Sequence, residues 1–68
     1  MEKFHIKWIS RIDEKRIHRI KYDTVNRAIK ELNHTRNSKY SMLEAINYTK
    51  GGNEFYITLM VFHEGKLI

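Results

Sequence analysis

Four histidines (His5, His18, His34 and His63), three serines and the Asp13-Glu14 pair are the side chains of this sequence that could do bond-making chemistry. Their spacing argues against it. No two histidines stand four positions apart, the separation that puts two ligands on one helix face, and there is no Cys to complete a zinc set. Ser10, Ser38 and Ser41 lack the Gly-flanked elbow that exposes an attacking oxygen. Asp13 and Glu14 adjoin in a polar break, solvated rather than sheltered with shifted proton affinities. Gly51-Gly52 joins two strand-like segments and opens no helix, so it lacks the amides that phosphate loops use. With 68 residues there is also little room for a substrate pocket of about 300 Å³ or more. The expectation is therefore a protein that is not an enzyme, with no cofactor, no metal and no small-molecule substrate.

Charge is the remaining chemical signal, and it is unevenly spread. Residues 1–40 carry eleven Lys/Arg against five Asp/Glu, and residues 41–68 carry two against three, so nearly all of the net +5 lies in the first part. A localised positive field on a small domain suits an anionic partner.

The elements that must present these charges follow from periodicity. A first strand is expected over roughly Lys3–Ile12, with Phe4, Ile6, Trp8 and Ile12 on one face and His5, Lys7, Ile9 and Arg11 on the other. After a three-residue break at 13–15, a second strand over Arg16–Tyr22 pairs Trp8 with Ile20 and Ile6 with Tyr22, which aligns the apolar faces. A competing helical spacing of Ile9, Ile12, Arg16 and Ile20 would replace this hairpin by a helix over 9–20. Thr24 or Asp23 is an N-cap for a helix whose buried stripe is Val25, Ala28, Ile29 and Leu32. Asn37 is expected to end it.

A second hairpin, Ser41–Thr49 and Glu54–His63, closes on Gly51-Gly52 as a two-residue primed turn. This pairs Tyr48 with Phe55 and Met42 with Val61, leaving Leu43, Asn47, Tyr56, Met60 and Phe62 on the reverse face. Strand 54–63 is apolar on both faces, as a central strand would be. His63–Lys66 reads as a turn before an apolar Leu67-Ile68. The expected fold class is α+β: a single small domain in ββαββ order, a four-stranded sheet with one helix packed on one face.

Such a sheet gathers Lys7, Arg11, Arg19 and Lys21 on its open face, with Tyr56 and Phe62 beside them as apolar anchors. Cations beside aromatic rings are the recipe for holding nucleic acid, phosphates by charge and bases by stacking. The same charges suit an acidic protein, and a plain solvated face with Tyr56, Met60 and Phe62 buried in a homodimer is the competing structural reading. A third reading is a regulatory or inhibitory protein docking on one host protein, of the phage or mobile-element kind. The richness in Ile, Lys, Asn and Tyr, 26 of 68 residues, is what AT-rich codons give. No apolar run approaches the roughly 20 residues of a membrane span, and residues 1–20 alternate charged and apolar positions unlike a secretory leader. With no Cys, a reducing cytoplasmic location is expected.

Overall fold

A computed structural model describes residues 2–68. It is an α+β fold with one helix and an antiparallel sheet of five strands, one more than expected. The elements are β1 (Phe4–Ile9), β2 (Ile17–Tyr22), α1 (Val25–Thr35), β3 (Tyr40–Tyr48), β4 (Glu54–His63) and β5 (Lys66–Leu67). The strands lie in the order β2-β1-β3-β4-β5.

Residues 9–20 are strand and loop, not helix. Both β1 and β2 are shorter than expected because residues 10–16 form a loop held by its own side chains. Ser10 Oγ accepts from the Ile12 amide at 3.1 Å, and Asp13 Oδ1 accepts from the Lys15 amide at 3.3 Å. Short hydroxyl and carboxylate side chains offer the backbone these local bonds in place of a ladder. Trp8 consequently pairs with His18 and Ile6 with Ile20, a slip of two residues from the expected register. An even slip preserves the faces. Ile12, expected to extend the strand face of Phe4, Ile6 and Trp8, is instead 98% exposed at the loop.

Thr24 caps α1, its Oγ1 accepting from the Arg27 amide at 3.3 Å. The helix is capped at its C-terminus by Arg36 rather than Asn37. Ala28, Leu32 and Thr35 are its buried residues, whereas Val25 and Ile29, expected in the stripe, are two-fifths exposed. The cause is width: α1 packs over β1, β3 and β2, and its Val25–Ile29 flank overhangs toward β4. Arg36 lies close to Val25 and Ile29 in helical angle, and its guanidinium sits 4.9 Å from the Phe62 ring of β4, which fixes that direction. The core beneath is Ile6, Ala28, Leu32, Leu43 and Phe62, ringed by Phe4, Trp8, Tyr22 and Met60. Within it, Thr35 Oγ1 donates to the Leu32 carbonyl at 3.3 Å and meets Ser41 Oγ at 2.8 Å, so both buried hydroxyls are satisfied.

The second hairpin departs from expectation twice. Gly52, at φ 82°, supplies the left-handed residue of a three-residue loop closed between Thr49 and Asn53, not a two-residue turn. That moves the register by one, pairing Tyr48 with Glu54 and Ile46 with Tyr56. A bulge at Leu59 then shifts it back, so that Leu43 pairs with Met60 and Met42 with Val61. Crossing a bulge re-phases the alternation, so Phe55 and Ile57 share the helix side with Met60 and Phe62. His63–Lys66 is a tight turn with Glu64 at φ 51° and Gly65 at φ 85°, leading into β5. Strand β4 is not central: β5 pairs only with Phe62 and His63, and Ile68 reaches Val61, leaving the outer edge of 54–60 unpaired.

Candidate functional site

The face of the sheet away from α1 carries Lys7, Arg19, Lys21 and Tyr56, four of the six residues singled out from the sequence. Arg11 lies outside the strand, exposed in the β1–β2 loop. Phe62 lies on the other side altogether: it is 7% exposed, in the core under Arg36, because it keeps its expected partner Ser41, and the Ser41–Leu43 face of β3, aligned with Ile6 and Trp8 of β1, is the one the helix covers. Met60 follows it, and Asn47 also falls on the helix side, opposite Phe55.

This face is also less cationic than the strand pattern implies. Lys7 Nζ stands 3.8 Å from Glu44 Oε1, and Lys21 Nζ donates to both Glu54 oxygens at 2.8 and 3.0 Å. Tyr56 Oη donates to Glu54 Oε2 at 2.7 Å. The Lys21 bond holds the Glu54 carboxyl below its ordinary range, and the Glu54 bond raises the Lys21 and Tyr56 values in turn. Across the strand pair Lys7 stands opposite Arg19 and His5 opposite Lys21.

Beneath these long side chains His5 and Glu44 are buried, 3% and 6% exposed, with His5 Nδ1 donating to Glu44 Oε1 at 3.0 Å. Tyr56 lies over the imidazole with ring centres 4.9 Å apart. Burial lowers the His5 pKa, outweighing the hydrogen bond and charge of Glu44, which act to raise it. The neutral ring is thus a fixed donor to a buried carboxylate. Reading from the sequence missed this pair; a lone Glu amid the apolar residues of β3 is the signal that marks it.

Sorting the cations by partner moves the centre of positive charge. Lys7, Lys21, Arg27 and Lys39 each stand within 4.0 Å of a carboxylate, the last two on Asp23 and Glu14. Arg11, Lys15, Arg16 and Arg19, all on the β1–β2 hairpin, have no carboxylate at that distance among the described residues. The loop end of this hairpin is drawn to its neighbours by the 2.8 Å Lys39–Glu14 bond, while Arg36 donates to the Gly65 carbonyl at 3.3 Å on the same side of the fold. That end therefore collects Arg11, Lys15, Arg16, Arg36, Lys39 and Lys66 against Asp13, Glu14 and Glu64, a surplus of three positive charges out of the net +5. Along β2, Arg16 and Arg19 flank an open groove shared with Trp8 and His18, whose rings stack at 4.9 Å and 11°. Lys15, Arg16 and His18 were not singled out from the sequence; Lys15 and Arg16 stand in the β1–β2 loop and His18 on the edge strand β2.

No group of three or more His, Asp or Glu able to hold a metal ion occurs among the described residues, and no helix is long and apolar enough to cross a membrane. No protein-family model matches the chain, and comparison with curated proteins and with solved structures finds no match either.

Proposed function

We propose that this chain is a non-enzymatic binding module whose β1–β2 hairpin holds the phosphate backbone of a nucleic acid. The observation that carries the reading is the run of uncompensated cations Arg11, Lys15, Arg16 and Arg19 on one exposed hairpin. Three of the four are arginines, whose planar forks match phosphate oxygens two at a time. Lys7, across from Arg19, extends the track onto the open face, where Tyr56, 43% exposed, offers a ring to a base. The Trp8–His18 stack offers a second ring surface at the other side of the same strand pair.

Four phosphate contacts imply a slope of log K against log salt of about −3 to −4, or about a hundredfold loss of affinity between about 50 and about 200 mM salt. Fluorescence anisotropy of labelled DNA and RNA oligonucleotides measures it. The double variant Arg16→Glu/Arg19→Glu should lose binding and flatten the slope, with folding unchanged by circular dichroism. Binding indifferent to salt, or unaffected by the double reversal, refutes the reading. A polyglutamate that competes as strongly as the oligonucleotide would transfer the same hairpin to an acidic protein surface.

A further inference from the structure

The sheet has two unequal edges. Strand β2 is exposed along its length but carries His18, Arg19 and Lys21, the kind of charged residues that stop one edge from pairing with another. The other edge, β4 from Glu54 to Met60, is unpaired among the described residues, and before its Leu59 bulge only Glu54 guards it. Residues 55–62 read Phe-Tyr-Ile-Thr-Leu-Met-Val-Phe, with no charge and no Pro, the composition of a segment that seeks a strand partner. Phe55, Tyr56, Ile57 and Leu59 are each close to half exposed there. Among the described residues only Ile6, Ala28, Leu32, Leu43, Ile46 and Phe62 are buried hydrophobics, a thin core for a chain without disulfides.

From this we infer that β4 pairs edge to edge with β4 of a second copy of this chain, forming an antiparallel two-fold dimer with one continuous sheet. Charge selects a second copy. A protein of net charge +5 repels itself over most of its surface. The β4 edge, however, has no cation of its own, and its single carboxylate, Glu54, is already neutralised by Lys21 and takes a hydrogen bond from Tyr56. Geometry selects the register. β5 and Ile68 occupy the outer edge beside 61–63, which confines a second β4 to the stretch before the bulge. An axis at Tyr56 keeps faces matched, placing Phe55 opposite Ile57 of the second copy twice over and Glu54 opposite Thr58.

The four half-exposed β4 side chains offer on the order of 400 Å² per copy, about half of the roughly 800 Å² of a standard interface. The edge backbone adds to this, so a dimer with a dissociation constant in the micromolar range is expected. The two helices would lie on one side and both Lys7–Arg19 tracks on the other. The inference does not depend on the nucleic-acid reading.

Sedimentation equilibrium of the full chain from about 5 to about 500 µM should show twice the 8.3 kDa chain mass at the upper end. Ile57→Lys, at a position 50% exposed and so compatible with folding, should remain monomeric throughout with an unchanged circular dichroism spectrum. Tyr56→Cys, which introduces the only thiol in its chain, should oxidise to a covalent dimer, since residues facing each other across an antiparallel pair stand about 4.5–5.5 Å apart. A parent chain that stays monomeric at the highest concentration overturns the inference and leaves the edge to a foreign strand. A dimer that survives Ile57→Lys, or a Tyr56→Cys variant that does not cross-link, also overturns it by placing the contact on another face.

Discussion

The buried His5–Glu44 pair makes the stability of this fold sensitive to mild acid, in a direction that its surroundings determine. His5 is 3% exposed, and burial lowers its pKa in the folded chain, while in the unfolded chain it returns to about 6.5. Unfolding therefore takes up a proton below that pH, and stability must fall as the solution is acidified from about 6.5 toward the folded value. One proton sets the steepest possible slope, about 1.4 kcal/mol per pH unit. Against a total of about 3–10 kcal/mol for a chain of this size, one pH unit near that slope is readily measured by urea denaturation. The groups facing the ring are Glu44, Lys7 and Arg19, with the Tyr56 ring tilted above it, and the two cations act with burial to disfavour a charged imidazole. His5→Gln keeps an N–H for Glu44 but cannot titrate. The difference between the parent and His5→Gln between pH 7.5 and 5 should thus isolate the proton, the parent losing ground as pH falls. Parallel curves would refute the reasoning. A parent that gains on the variant would show that the Glu44 bond outweighs burial.

Phe62→Ala removes a ring that is 7% exposed and that carries the Arg36 guanidinium, so a loss of about 3–5 kcal/mol is expected in urea, enough to leave much of the population unfolded. A small loss would mean that Phe62 is not core. Gly65→Ala forces a side chain onto a residue at φ 85° and brings its Cβ to 2.5 Å from Asn37 Oδ1. The backbone conformation alone should cost about 1–2 kcal/mol, and hydrogen exchange should rise first at Ile68, whose amide bonds to Val61.

Much of this architecture was legible because parity is robust. The alternation of Phe4, Ile6 and Trp8 against His5 and Lys7 fixes the faces of β1 whatever the loop length, so a two-residue slip left the Lys7, Arg19 and Lys21 placement intact. The Thr24 cap and the Ala28–Leu32 stripe are local signals and needed no tertiary information. What could not be read were the odd-numbered shifts. A third loop residue at Gly52 and one extra residue at Leu59 cancel in the final register, yet between them every side chain of β4 changes its partner. The pairing of Glu44 with His5 required knowing that β1 and β3 are neighbours, which hydropathy does not specify. Arg16 and Lys15 required knowing that the β1–β2 loop runs on to residue 16.

The exposed apolar surface of β4 follows from the proportions of the fold rather than from any single residue. Five strands spaced about 4.8 Å apart span roughly 20 Å, while one helix with its side chains covers about 10–12 Å. With α1 set over β1, β2 and β3, no helix remains for the far side of the sheet. On the open face the deficit is met from within, by Lys7, Lys21 and Tyr56 lying over His5, Glu44 and Ile46. On the helix side it is met only as far as Met60 and Phe62, where β4 comes under α1 and Arg36. Beyond the bulge the chain keeps an apolar sequence on a strand that its own helix cannot reach. A polar sequence there would have cost the core nothing, since none of Phe55, Ile57 or Leu59 contributes to it. Those residues therefore make physical sense as surface for another strand.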